Sequence, residues 1–307
     1  MATTNHSGTG FPVEDNRETP GASNGPTGLA SSRRLTRGIA RGHYENFVVA
    51  SILLPRRLRQ PFYDIYAFCR TADDFADESP SAEVAARRLR RLRRDLAATY
   101  AGSPPPGIFP ALGETIRGFE LPEDPFLRLL DAFEQDQRVT RYETREALVD
   151  YAERSAAPVG ELVLRLAGSY RADTVGPSAD ICIGLQFANF WQDVARDHAI
   201  GRIYLPAATM ARFGVDESML SEAAAPEPLR RAIASECLAT EELLERGLVL
   251  AERVPRWLAA DVRLFAHGGL AILDEIRRAG HDVLRRRPVV SRRRQAAMLL
   301  RAWLGWL

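Results

Sequence analysis

Lysine is absent from all 307 residues: the 41 basic side chains are arginines, set against 40 acidic ones for a net charge of +1. Without lysine there is no Schiff-base nucleophile, no anchor for pyridoxal phosphate and no P-loop ammonium. Any fixed cation at a site is a guanidinium or one of five histidines. The balanced charge gives no electrostatic grip on nucleic acid. Cysteine is scarce: Cys69, Cys182 and Cys237 stand far apart with no CxxC pair. That excludes a disulfide framework and a zinc cluster, and reads as buried reduced thiols in a cytoplasmic protein. No apolar run approaches the roughly 20 residues of a spanning helix, and the N-terminal stretch lacks the apolar heart of a secretory signal. Runs of alternating β-branched residues, GxGxxG, GxxxxGK and solenoid repeats are missing too, which removes sheet-based nucleotide folds.

What remains is helix. Residues 1–40, rich in Gly, Ser, Thr, Asn and Pro without apolar periodicity, read as a disordered tail. Residues 41–307 read as one all-α domain. Helices are expected over 61–78 (opened by Pro61, stopped by Ser79-Pro80), 82–100, 111–119, 125–137, 144–168, 177–198, 226–254, 258–280 and 291–306.

Two of these segments carry paired acids. Residues 66–78 read YAFCRTADDFADE, and residues 186–197 read QFANFWQDVARD. Asp73 and Asp77, like Asp193 and Asp197, are four residues apart and share a helix face. Each pair falls at the end of its helix, where the macrodipole disfavours negative charge. The stretch from Ile181 to Trp191 is apolar nearly all round, as in a helix buried on every side. Acids continuing such a helix call for cations. Magnesium fits oxygen ligands whose shell a substrate phosphate completes, whereas EF-hand spacing and a Glu three residues before a His, as di-iron bundles use, are absent. Two carboxylate clusters gripping a diphosphate through Mg²⁺ is the reading this supports, against a merely solvated acidic face. Arg70 reads either as an ordinary helix ion pair or as a diphosphate clamp, and Arg202 as a surface residue or a second clamp. Phe187, Phe190 and Trp191 read first as core packing, with a cation-stabilising wall as the alternative.

These motifs, in this order and separation, resemble the two aspartate-rich signatures of the squalene/phytoene synthase family, over His43 to about Arg301. Within it, HYENFVVASILLP and NFWQDV are most similar to the bacterial hydroxysqualene synthases. Condensing relatives tend to carry arginine where Gln192 stands. The resemblance implies the class I isoprenoid-synthase helical bundle with a central cavity and several Mg²⁺ ions held with the substrate diphosphate. It makes Asp73, Asp77, Asp193 and Asp197 metal ligands, supported by Asn189. It places His43, Asn46, Arg70 and Arg202 on diphosphate, and Tyr66, Gln186 and Tyr204 around the developing cation. One departure is Glu153, where phytoene-type enzymes carry tyrosine.

The implied reaction is ionisation of presqualene diphosphate with water capture to hydroxysqualene, without NADPH. Head-to-head condensation of two allylic diphosphates is the alternative enzyme, and a non-catalytic relative the third reading. The resemblance also implies neighbours among the upstream and downstream enzymes of the squalene pathway. The C-terminal stretch from Arg292 to Leu307, RRRQAAMLLRAWLGWL, is amphipathic and reads as the last bundle helix or as a peripheral membrane contact, and the run RRRPVVSRRR that leads into it reads as a ligand of diphosphate or of lipid phosphate.

Overall fold

A computed structural model describes residues 28–42 and 54–304, with side chains to residue 302. His43 and Asn46, assigned to diphosphate from sequence, lie outside the described residues. So do residues 1–27 of the expected tail.

Residues 29–40 of that tail are helical. Helix α1 (Leu29–Gly42) docks through Ser32, Thr36 and Ala40, a stripe of small and hydroxyl residues at four-residue spacing. Its partner is polar as well. Buried Asp64 accepts hydrogen bonds from Thr36 (2.7 Å), Gln60 (2.8 Å) and Thr115 (2.8 Å), and Ser32 Oγ accepts from the Ala111 amide at 3.0 Å. Leu35 and Ile39, four residues apart, pack beside them against the first apolar core, but two apolar residues among arginines and hydroxyls are too short a period to stand out from the polar tail, and the sequence places the start of the domain at residue 41.

Helix α2 (Arg56–Asp77) begins five residues before Pro61, the proline expected to open it, and α8 (Ala172–Ala199) five residues before its expected start at residue 177. Between them run α3 (Ala82–Tyr100), α4 (Phe109–Phe119), α5 (Asp124–Gln135), α6 (Arg145–Ser155) and α7 (Ala157–Leu166). Ser81 and Thr144 cap α3 and α6 by accepting the Val84 and Ala147 amides. The single helix expected over 144–168 is two, because Ala156 leaves the helical region at φ −122° and Pro158 starts the next one. After α8 come α9 (Ala207–Phe213), which the sequence reading missed, then α10 (Glu227–Gly247), α11 (Arg256–Arg278) and α12 (Arg292–Leu304).

Two apolar cores flank the middle of the bundle. One gathers Leu58, Phe68, Leu89, Leu112 and Phe126 from the first helices. The other surrounds Phe187 and Trp191 on α8. Helix α8 is buried between α7, α10 and α11, and close approach depends on glycine. A Cβ at Gly247 would stand 2.9 Å from the Pro177 carbonyl, and one at Gly184 would stand 2.7 Å from Leu244. Trp191 is fully buried and donates its indole N–H to Thr240 at 2.8 Å.

Asp261, on α11, is a buried acid of another kind: it is 4% exposed and its Oδ1 has no hydrogen-bond partner among the described residues. Burial raises its carboxyl to about 8. The folded form therefore holds a proton that the unfolded form releases near pH 4, and stability falls as pH rises between those values. Asp261→Asn is expected to raise the Tm more at pH 8 than at pH 5. Equal shifts at both pH values in calorimetric scans would contradict this assignment.

Candidate active site

Asp73 and Asp77 occupy the last turns of α2, and Asp193 and Asp197 those of α8. The two helix ends face each other. Gly201 turns the chain after α8 with φ 82°, a conformation that suits glycine, and the Arg202 amide returns to the Asp197 carbonyl at 2.8 Å. From there the Arg202 side chain reaches across and donates Nη2 to Asp77 Oδ1 at 3.0 Å. The turn is itself anchored, with the Ile203 amide on the Thr140 carbonyl and Arg141 Nη1 on the Gly201 carbonyl. Arg202 is thus a bridge between the clusters and not a surface residue.

Arg70 donates to Asp73 Oδ2 at 2.8 Å and pairs with Asp74 at 2.5 Å, while its buried Nε meets no acceptor among the described residues. On the opposite side Arg287 grips Asp193 with both ends of its fork, Nε to Oδ1 at 2.6 Å and Nη2 to Oδ2 at 2.8 Å. Gln192 holds that arginine in place: its Oε1 accepts from Arg287 Nη2 at 2.8 Å, and its Nε2 donates to the Pro288 carbonyl. Every arm of the buried Gln192 amide seen here is directed at the segment 287–288. Only a side chain that both donates and accepts can do this.

Crowding of acids sets the electrostatics. Burial lifts Asp73 to about 6, with Asp77, Asp74 and Glu78 adding to the rise and Arg70 opposing it. Burial and then the charge of Asp193 lift Asp197 to about 7 against Arg202, and Asp77 contributes from the facing helix. A fifth acid, Asp136 at the end of α5, is also lifted to about 7, chiefly by burial, and accepts the Tyr151 hydroxyl at 2.9 Å. Asp136 feels Asp73, Asp77 and Arg202, so it belongs to the same constellation.

Behind the acids stands an aromatic wall. The rings of Phe190 and Tyr204 stack at 3.8 Å between centroids. Tyr142 lies 6.0 Å and Tyr151 6.2 Å from Tyr204. Phe187 and Trp191 are plain core. Tyr66 and Gln186 are half-buried, and Asn189, on the same helix as Asp193, is exposed. Glu153 is exposed on α6, while Tyr151, two residues earlier, is buried.

Asp136 and Tyr151 carry no sequence signal, and Arg287 shows in the sequence only as one of a run of arginines that reads as a ligand of diphosphate or of lipid phosphate. Asp136 has no acid at helix spacing within a motif to mark it. Of that run, the structure turns Arg287 inward.

Among the described residues no three His, Cys, Asp or Glu side chains converge as a ready-made cage for one ion. The donor set nevertheless fits Mg²⁺, which takes one or two carboxylates and fills its shell with phosphate oxygens and water. The unspent Nε of Arg70 is a donor such an anion would meet.

The sequence profile described as squalene/phytoene synthase matches residues 40–294. The chain is 35% identical over 58% of its length to the presqualene diphosphate synthase of Rhodopseudomonas palustris, a match that spans 63% of that relative. It is 36% identical over 67% of its length to the hydroxysqualene synthase of Zymomonas mobilis, covering 70% of that chain. Among solved structures it resembles squalene synthase HpnC from Alicyclobacillus acidocaldarius, with 40% identity, a TM-score of 0.79, and coverage of 82% of this chain and 95% of that one.

Proposed function

The chain belongs to the squalene/phytoene synthase family, and from that premise we propose that it is a hydroxysqualene synthase, ionising presqualene diphosphate and quenching the rearranged cation with water. The observation that carries the chemistry is the pair of aspartate-ended helices bridged by Arg202 and flanked by Arg70 and Arg287. The reading of subclass rests on Gln192, whose place condensing relatives tend to fill with arginine, and on similarity to the Zymomonas mobilis relative named hydroxysqualene synthase.

Asp73, Asp77, Asp193 and Asp197 would hold Mg²⁺, with Asn189 beside the second pair. When bound, the ions supply Lewis-acid stabilisation of the departing diphosphate. Arg70 and Arg202, with His43 and Asn46 of the segment before α2, take up the same growing negative charge. Arg287, held beside the second aspartate pair by Asp193 and Gln192, would add a further guanidinium to the diphosphate side of the site. The carbon–oxygen bond to diphosphate breaks with its electron pair leaving on oxygen. The cation left behind lies against electron-rich rings, with Tyr204 and Phe190 as the wall and Tyr66 and Gln186 lining the chamber. Water then adds through oxygen, and its proton is taken up by the released diphosphate. No reductant enters this balance, so NADPH is not required.

The names of the relatives favour a second reading, head-to-head condensation of two allylic diphosphates. One assay separates the two: purified enzyme with Mg²⁺ and no NADPH, given presqualene diphosphate or farnesyl diphosphate in separate tubes, with lipid extracts read by mass spectrometry. A C30 alcohol from the first and nothing from the second is expected. A C30 diphosphate made from farnesyl diphosphate would overturn the water-capture reading. With or without turnover, Mg²⁺ and pyrophosphate together are expected to raise the Tm by several degrees, and either alone by far less. Additive small shifts would argue against a shared metal–diphosphate site.

A further inference from the structure

We propose that the segment from Arg285 to Leu300 is a docking surface for an anionic lipid bilayer, placed at the rim of the site. The inference goes beyond the reaction assigned above and does not depend on which prenyl diphosphate the site takes.

Charge is distributed very unevenly along this chain. After Asp282 the last 25 residues contain seven arginines and no acid, in a protein of net charge +1. The structure sorts these arginines into two sets. Arg287 turns in to Asp193, and Arg294 pairs with Asp274 and Glu275, both at 2.8 Å. Arg301 is exposed too and has no ion pair among the described residues, but it lines a cleft of about 410 Å³ among α10, α11 and α12. The other four, Arg285, Arg286, Arg292 and Arg293, are exposed and have no ion pair among the described residues.

Two further features point outward with them. Val289 is 54% exposed in the middle of the arginines, and Leu300 is 57% exposed on the helix that follows. Exposed aliphatic side chains framed by unpaired cations suit a bilayer surface, where guanidinium groups meet lipid phosphates and the apolar groups enter the acyl boundary. Helix α12 also opens with three consecutive arginines and no acid in its first turn. Cations there oppose the helix dipole, a conflict that an anionic surface offsets.

This surface is held in place. Gln192 fixes the Pro288 carbonyl, Arg287 is bolted to Asp193, and Gln295 Nε2 donates to the Val290 carbonyl at 3.2 Å. The chain alternates sharply as a result: Arg286 points out, Arg287 and Pro288 in, Val289 out. The cationic face is therefore fastened directly to the second aspartate pair, so a bilayer bound there adjoins the site where an oily substrate enters and its product leaves.

The test is sedimentation of the full chain with vesicles of phosphatidylcholine alone or with phosphatidylglycerol added. Wild type is expected on the anionic vesicles at low salt, with binding weakened at high salt and little binding to pure phosphatidylcholine. The variant with Arg285, Arg286, Arg292 and Arg293 all changed to Gln is expected to bind more than about tenfold more weakly, since each basic residue near such a surface contributes about fivefold. Val289→Asp is expected to weaken binding as well. None of the four arginines is assigned to the site, so turnover in detergent is expected to stay near wild type and to show that the variant is folded. Equal vesicle binding by wild type and the fourfold variant would overturn the proposal, as would failure of wild type to bind anionic vesicles. Binding of a DNA oligonucleotide or free glycerol phosphate as tightly as anionic vesicles would show a general polyanion patch and overturn it too.

Discussion

Asp193→Asn is expected to lower turnover by more than about a hundredfold while shifting the Tm by no more than a degree or two. The substitution keeps size and an acceptor for Arg287 but removes the charge that a divalent cation needs. Stability is little affected, because the side chain stands at a helix C-terminus and beside Asp197, two settings that already disfavour a negative charge. Asp77→Asn is expected to behave alike: its partner Arg202 is retained at an acceptor, and the Asp77 side chain is itself half open to solvent. The decisive measurements are single-turnover rates together with thermal melts in Mg²⁺ and pyrophosphate. Loss of the joint stabilisation alongside loss of rate is the result expected of a metal ligand. Retention of more than a few per cent of activity by either variant would sink the metal assignment. A collapse in Tm without ligands would instead make these acids structural.

Much of this site was legible because one physical conflict is written into the sequence. Acids four apart at the end of an apolar helix have no stable environment unless something positive arrives, and both Asp73/Asp77 and Asp193/Asp197 show it. The all-α fold was legible for a similar reason: Leu89, Leu92 and Leu96 on α3 recur at helix spacing, and all three are buried. What the sequence hid depended on contacts between distant segments. Helix α1 is fastened by Thr36 and Ser32 to Asp64 and the start of α4, and its apolar stripe, Leu35 and Ile39, is too short to stand out from the polar tail. Asp136 joins the constellation only because α5 ends near Tyr151 and Arg202. Arg287 differs from Arg285 and Arg286 in nothing but direction, and that direction comes from Gln192, nearly a hundred residues away in sequence. Short-range patterns gave the helices and the paired acids. The arginines that answer those acids were assigned by tertiary packing.

Gln192→Arg carries the second large expectation, and it tests that long-range assignment. Arginine donates only, so at this position it can still reach the Pro288 carbonyl but has nothing to offer Arg287. Two guanidinium groups would share a buried corner where one now sits between two acceptors. Arg287 is expected to leave Asp193, and the segment around Pro288 to loosen with it. Affinity for Mg²⁺–pyrophosphate, read by calorimetry, is expected to fall on the order of tenfold to a hundredfold. Because condensing relatives tend to carry arginine here, products from farnesyl diphosphate should be sought in the same variant. Gln192→Glu provides the contrast: it keeps an acceptor for Arg287 and loses the donor to Pro288, so a smaller loss is expected. The double variant with Arg287→Gln supplies the control, since removing the second guanidinium removes the repulsion, and the cost of Gln192→Arg should shrink to a few-fold. An undiminished cost in that background would mean that Gln192 acts on something other than Arg287. Unchanged pyrophosphate affinity in the single variant would mean that the hydrogen bonds joining residues 192, 193 and 287 have no part in setting the diphosphate site.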